Sequence, residues 1–488
     1  MVKSFINGTP ALKTKVFSFG QAGNRIADVF ASFKTGAGER SYECYALNSN
    51  TGDLKELKNI SDDNQMSLEL GGLGKNPVKA MKVLEENKDV REKMEEFVTS
   101  KMTDDDDLAL FVVGLGGGTG TSTVIKALEN FHKVYNLPKV QDALLEIVQS
   151  IDGGVIEYKA NPSKYNKMAL KLAQERFVKI GVIAVLPVRN DGPDVLRQTN
   201  EFAQKLWKLG NDETKGISFT HFPDNQLFSD AFKKLPTDQR DRFETYRNYA
   251  NCEIAETFHE INTLADMGGT SVVLDKADLK RALTEGQGCL SISRVSELIN
   301  KDSSNSSVSK LFTKALKSGN LHDAIELKKD DVIKRVHHVC LLAAIDSRSK
   351  LGGSGAFLDD AIEKLNGELP VTGTVFSGFV ECQNNQNATA YLVFKSNGLP
   401  PRLQMGLGEE YEEHMKKLNE VKFDEDAEIK SIKVETDKDD EEFSLADLGL
   451  GDLFGEIVIE EPPIQEKKET ISSDDLRELM KSELAKLK

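Results

Sequence analysis

The chain has 488 residues, 39% of them hydrophobic, and a formal net charge of −16. That length suits about three domains with proper cores. The acidic balance argues against direct nucleic-acid binding by the body, because a protein that grips phosphate backbones carries a basic footprint. Between Asp424 and Glu461 stand fifteen acidic residues and three lysines, which supply most of the excess charge and leave the body only mildly acidic.

Five widely spaced cysteines (Cys44, Cys252, Cys289, Cys340, Cys382) lack any C-x-x-C pair. They read as thiols of a reducing cytoplasm, not as a disulfide frame or zinc site. MVKSFINGTPALKTK at the N-terminus has no apolar core for a signal peptide, and no run of eighteen apolar residues occurs, so a soluble cytoplasmic protein is expected.

Along the first half, strands and helices alternate. KVFSF (15–19) leads into GQAGN and a helix over 25–33; ECYALN (43–48), ALFVVG (109–114) and GVIAVLP (181–187) read as further strands. Strand, glycine turn and helix in repetition predict a parallel, doubly wound sheet whose ligands bind at the carboxyl ends of the strands. Two helical patterns, LPKVQDALLEIVQSIDGG and NPSKYNKMALKLAQERF, predict an inserted helical pair over about 134–177. Ile254, Phe258, Ile261 and Ala265 fall at helical spacing and mark a long core helix that Gly268 and Gly269 stop. Beyond it, helices mix with β-rich pieces such as TGTVFSGFVEC and ATAYLVFK, while KDSSNSSVSK (301–310) reads as a loop. EEYEEHMKKLNEVK predicts an exposed helix, with Glu412 and Lys416 spaced to pair. After Phe423 composition predicts disorder, interrupted by FSLADLGLGDLFGEIVI (443–459) and a terminal SSDDLRELMKSELAKLK as candidate partner-binding segments.

The chemistry concentrates in glycine-rich loops. GLGGGTGTST, 114–123, packs five glycines into ten residues directly after an apolar strand, the pattern of an anion cradle at a helix N-terminus. No lysine follows as a Walker A loop requires, and GQAGN has the wrong spacing for a dinucleotide fingerprint. Phosphate must then be held by backbone N–H groups from several loops. Taken in order, GQAGNR, NSN (48–50), GGLGKNP (71–77), GLGGGTGT, FPDNQLF (222–228), NYANCEIAETFHEIN (248–262) and VLDKADLKRAL (273–283) resemble the nucleotide loops, core helix and catalytic loop of the tubulin and FtsZ superfamily. Within it, the HEIN ending of the core helix, ATAYLVFKSNGLPPR before a long helix, and the acidic tail resemble the phage and plasmid tubulins of the TubZ type.

The resemblance implies a GTP-binding domain over 1–242, a core helix over 243–268, an α+β activation domain over 269–400, a C-terminal helix over 401–422 and an acidic tail over 423–488. It implies that Gly20, Gln21, Ala22, Asn24 and the run Gly116, Gly117, Gly118, Thr119, Gly120, Thr121 cradle the α- and β-phosphates. Gly71, Gly72, Gly74, Lys75 and Asn76 would sense the γ-phosphate, with Asn50 toward Mg²⁺ through water. Asn225 and Asn251 would read guanine, whose O6, N1 and N2 edge suits two side-chain amides. Arg247 stands where the family often has an aromatic to stack on the base, and Asp191 or Asp194 would face the ribose. Asp275 and Asp278 would reach from one subunit to the γ-phosphate of the next, in a head-to-tail filament that hydrolyses GTP at its interfaces. Departures are Ser122 for a family glycine, Val273 for an FtsZ asparagine, and the helical insertion.

An FtsZ-like division-ring protein, a non-hydrolysing tubulin-fold module and, more remotely, an NAD-type dehydrogenase stand as alternatives. Asp104 to Asp107 and the pair His337, His338 could be metal ligands, but adjacent residues diverge on helix or strand. A DNA-binding adaptor captured by the tail is the partner expected besides the chain itself.

Overall fold

A computed structural model describes residues 7–70, 77–265, 267, 272–299, 303–319, 336–349 and 355–420. Contacts divide the chain into Met1–Lys422 and Phe423–Lys488, and only the first unit is described. Gly71 to Asn76, Gly268, Gly269 and both tail segments lie outside the described residues.

β1 (Thr14–Phe19) runs into helix α1 (Gly20–Ser32), followed by β2 (Glu43–Asn48), a helical turn at Thr51–Leu54 and β3 (Gln65–Ser67). Helices α2 (Pro77–Glu86) and α3 (Lys88–Val98) precede β4 (Leu108–Gly114) and α4 (Gly118–Phe131). The insertion is α5 (Leu137–Ser150), α6 (Gly154–Ala160) and α7 (Pro162–Arg176). Then come β5 (Lys179–Val185), α8 (Pro193–Gly210), β6 (Ile217–His221), α9 (Asn225–Lys234) and the core helix α10 (Tyr246–Leu264). The second half holds α11 (Lys276–Thr284), β7 (Cys289–Leu298), α12 (Asn305–Ser318), β8 (Val336–Asp346), α13 (Ala356–Glu368), β9 (Val375–Cys382), β10 (Asn387–Ser396) and α14 (Leu407–Glu420).

The ten strands among the described residues join one sheet in the order β3-β2-β1-β4-β5-β6-β7-β10-β8-β9. It is parallel except where β10 pairs antiparallel with β7 and β8. The expected GTP-binding and activation domains therefore share a sheet, joined where Thr220 and His221 of β6 pair with Cys289 and Leu290 of β7. Parallel strands covered on both faces read as near-continuous apolar runs. In β1 and β4, Phe17, Phe19, Phe111 and Val113 enter one core and Val16, Leu110 and Val112 the other, while buried Ser18 of β1 is hydrogen-bonded to Asn24 and to Tyr45 O. The Phe17 and Phe111 rings stack at 5.2 Å.

The core helix buries the four residues that its spacing singles out, Ile254, Phe258, Ile261 and Ala265. Its polar face is tied to the second half by one guanidinium. Arg294 of β7 donates to both oxygens of Glu260 at 2.9 Å and of Glu253 at 2.8 Å, and Tyr391 Oη of β10 adds a bond to Glu260.

Three features differ from expectation. The insertion carries a third helix, α6, because Gly153 and Gly154, both at positive φ, turn the chain instead of ending the helical region. Its hairpin has a small core of its own, with Ala143 and Ile147 of α5 against Tyr165, Ala169 and Ala173 of α7. The serine-rich 301–310 stretch is not all loop: α12 starts at Asn305, and Ser304 N donates to Ser307 Oγ, serine favouring helix starts as well as turns. The C-terminal helix is not simply exposed. Leu407 is buried, α14 packs on α8, and its i, i+4 ion pair is Glu413 with Lys417. Among the described residues no helix is long and apolar enough to cross a membrane.

Candidate nucleotide cleft

β1 has β2 on one side and β4 on the other, so the chain order reverses there and opens a crevice at the strands' carboxyl ends. Helices α1 and α4 both start at its edge. Neither has an acidic residue in its first turn nor a side chain capping its start, so their first N–H groups are left for another acceptor.

The glycines have two distinct tasks. Gly20 lies at φ +69°, and a Cβ there would stand 2.8 Å from Gly120 N; a Cβ on Gly120 would stand 2.6 Å from Phe19 O. At Gly114 a Cβ would come 2.6 Å from Ala22 Cβ. These residues are glycine because one loop's backbone lies against the other's. At Gly117 an added Cβ would meet nothing within 4 Å, so there the space is open. Ser122 fits without disturbance: it is buried, and its Oγ bonds back to the Gly118 and Thr119 carbonyls inside α4.

A cleft of about 470 Å³ results. Of the residues expected in it, Gly20, Gln21, Ala22, Asn50, Gly116, Gly117, Gly118, Thr119, Gly120, Asp191, Asn225 and Arg247 line it together. Asn24 and Thr121 support it from behind. Buried Asn24 accepts from Ser18 Oγ and donates to Leu47 O, joining α1 to β1 and β2; Thr121 Oγ1 donates to the Gly117 and Leu115 carbonyls. Asn251 lies one helical turn beyond Arg247 and outside the lining. Of the two ribose candidates only Asp191 lines the cleft, its carboxylate accepting from Val188 N and facing Arg247 at 3.6 Å. Asp194 is turned out to solvent beside Arg197.

Asp53, Asn48, Ser49, Arg25 and Pro187 also line the cleft without having been singled out. Asp53 receives the amides of Gln21, Asn48 and Asn50 at 3.3, 3.0 and 3.5 Å, and Thr119 Oγ1 donates to Ser49 Oγ at 2.9 Å. The available signal was Asn50 with Asp53 three residues on, a helix-start pattern in which Asn50 Oδ1 accepts from Asp53 N.

Asp275 and Asp278 are brought together but stand outside the cleft lining. Asp275 caps α11, its carboxylate accepting from Asp278 N at 2.9 Å, and is exposed. The helix is held at both ends. Asp107 pairs with Lys276 and Lys280, and the buried Lys395 ammonium donates to the Leu283, Glu285 and Gly286 carbonyls at its C-terminus. Burial pulls the Lys395 pKa down to about 7.

Of the other metal candidates, Asp104 and Asp105 are exposed, and Asp106, Asp107 and His338 are taken up by neighbouring groups. Asp106 receives Thr103, Asp107 is taken up as above, and His338 bonds Thr374 N and faces Glu285. Among the described residues no group of three or more His, Cys, Asp or Glu side chains forms a metal site.

No family model matches the chain. The tubulin-like protein TubZ of Bacillus thuringiensis subsp. israelensis is 22% identical over 296 residues, 56% of this chain and 52% of the relative. The chain thus spans about half the length of that curated relative. GDP-form protofilaments of B. thuringiensis serovar israelensis TubZ superpose with a TM-score of 0.59 at 16% identity, covering 85% of this chain and 93% of that one. CetZ2 from Haloferax volcanii, as a GTPγS-bound protofilament, gives 0.58 at 14% identity over 84% of this chain and 100% of that one. The chain has the tubulin fold that TubZ and CetZ share.

Proposed function

We propose that the chain is a self-assembling GTPase that forms head-to-tail filaments and hydrolyses GTP where one subunit meets the next. The carrying observation is a division of labour. One cleft gathers two uncapped helix starts and the glycine loops, and the acids suited to positioning water, Asp275 and Asp278, stand on another helix outside it. Gly20, Gln21, Ala22 and Gly116 to Gly120 bind the phosphates through N–H groups, with Thr119 adding a hydroxyl. Asn225 and Asn251 read guanine, Arg247 covers the base, and Asp191 takes the ribose. Gly71 to Asn76 complete the γ-phosphate side. Asp53 and Asn50 offer oxygen donors fit for Mg²⁺, which binds through few protein ligands, waters and phosphate oxygens. When bound, Mg²⁺ neutralises developing charge on the phosphates. Asp275 and Asp278 of the neighbouring subunit orient the attacking water.

A head-to-tail contact grows an open filament when its rotation does not close a ring. The TubZ and CetZ relatives solved as protofilaments support this reading. The biological role we propose is segregation or positioning of phage or plasmid DNA in a bacterial cytoplasm, through an adaptor held by the acidic tail. Deletion after Lys422 should spare hydrolysis and abolish adaptor capture.

Mixing tests the shared site. Asp275→Ala subunits keep an intact cleft, and Gly117→Ala subunits, weak in nucleotide binding, keep their acids. The mixture should hydrolyse GTP faster than the sum of the two alone; a merely additive rate would overturn the reading.

A further inference from the structure

Beside the cleft lies a buried ion network with no assigned task. Arg402 follows Pro400 and Pro401 and precedes α14, with its side chain only 10% exposed. Its Nε and Nη2 donate to the two oxygens of Glu410 at 3.0 and 2.8 Å. Nη1 donates to Asp224 Oδ1 at 2.5 Å and to Pro187 O at 2.6 Å.

Each of those acceptors adjoins a cleft residue. Pro187 itself lines the cleft. Asp224 caps α9, accepting from Gln226 N at 2.8 Å, and immediately precedes Asn225. Glu410 also pairs with Arg189 at 3.0 Å, and Arg189 opens the short turn that ends at Asp191. Two bonds close the ring: Arg189 N donates to Gln226 Oε1 at 3.1 Å, and His414 Nε2 lies 3.0 Å from Arg189 O. The loops after β5 and β6, joined by backbone bonds from Leu186 N to Pro223 O and from Asn225 N to Leu186 O, are thus braced from the side by one guanidinium and one carboxylate. A buried pair of this kind adds little net stability over an apolar contact, whereas a planar fork fixes direction.

We infer that Arg402 is a positioning residue for base recognition, holding Asn225, through Asp224, at the geometry that selects guanine. The inference rests on the nucleotide reading above and names a determinant of its specificity. Gln226 also spans the two loops, through Arg189 N, but Arg402 Nη1 meets both at once, at Asp224 and at Pro187 O. A lysine could meet one carboxylate at a time but could not span both and the carbonyl in a fixed plane.

The test is equilibrium binding of GDP and ADP to the full chain, below the concentration at which it assembles, for wild type, Arg402→Lys, Arg402→Met and Glu410→Gln. Arg402→Met should weaken GDP binding by about tenfold or more while ADP binding barely changes, because only a placed amide discriminates the base edge. Arg402→Lys should recover part of the guanine preference. If Arg402→Met unfolds, Glu410→Gln, which keeps the Asp224 contact, should still reduce the preference by a few-fold. Equal weakening of GDP and ADP, or a guanine preference within twofold of wild type in the folded variants, would overturn the inference. Wild-type protein that binds neither nucleotide would instead remove the nucleotide reading, and this one with it.

Discussion

Gly20→Ala and Gly117→Ala should separate the fold's requirement for glycine from the ligand's. At Gly20 the backbone sits at φ +69°, a region that costs a residue with a Cβ about 1–2 kcal/mol. The new methyl would also lie 2.8 Å from Gly120 N and 2.9 Å from Gly120 Cα, both backbone atoms of a packed helix start that cannot rotate away. Overpacking of that kind costs about 1–3 kcal/mol, so Gly20→Ala should lose about 2–5 kcal/mol of stability. Gly117 is different. Its φ of −103° and ψ of 157° suit any residue, and its added methyl would meet nothing within 4 Å. A modest loss of helix-start preference is offset by a less flexible unfolded chain, worth about 0.4–1 kcal/mol. Gly117→Ala should therefore unfold in urea within about 1 kcal/mol of wild type yet bind GDP at least about tenfold more weakly, a loss near 1.4 kcal/mol. Equal destabilisation by both substitutions, or wild-type GDP affinity in Gly117→Ala, would refute the reasoning.

Three further outcomes are expected. Arg294→Met leaves Glu253 and Glu260 facing each other without their cation and should cost about 3–5 kcal/mol in urea denaturation; a loss below 1 kcal/mol would contradict the tie between core helix and sheet. Burial lifts the Glu256 carboxyl from 4.5 to about 7, with Glu253 and Glu260 adding to the rise and Arg294 opposing it. The folded chain then holds a proton that the unfolded chain has released, so the stability from this group, full below pH 4.5, is lost as pH rises through 7. Glu256→Gln should be more stable than wild type at pH 8, by up to about 3 kcal/mol, and parallel pH profiles would exclude the effect. In GDP titrations Asp191→Ala should weaken binding several-fold, by roughly the 1 kcal/mol of a lost hydrogen bond. Asp194→Ala should not, and the reverse order would move the ribose site.

What the sequence made legible depended on how local the determinant was. The strands β1, β2, β4 and β5 carry short apolar runs bounded by turn residues, so they read within two residues of their observed ends. The core helix was legible because one stripe, Ile254 to Ala265, is buried over its whole length. Strand β6, ISFTH, has only five residues and no glycine loop behind it, and nothing local marked it. Asp53 escaped notice because its place in the cleft depends on the loop of Gln21, 32 residues away in the chain. Arg402 did so because its partners lie 178 and 215 residues away in the chain. The choice of Asp191 over Asp194 likewise needed coordinates, since three residues at a helix start separate a wall of the cleft from open solvent.

The central claim is that catalysis requires two subunits. Its most direct measurement is the GTP hydrolysis rate per subunit against protein concentration, with sedimentation in parallel, for wild type and Asp275→Ala. Wild type should show little turnover when dilute and a cooperative rise as it begins to sediment, while Asp275→Ala should sediment as stable filaments with little turnover. Hydrolysis that is constant per subunit from the most dilute protein upward, with nothing sedimenting, would contradict it.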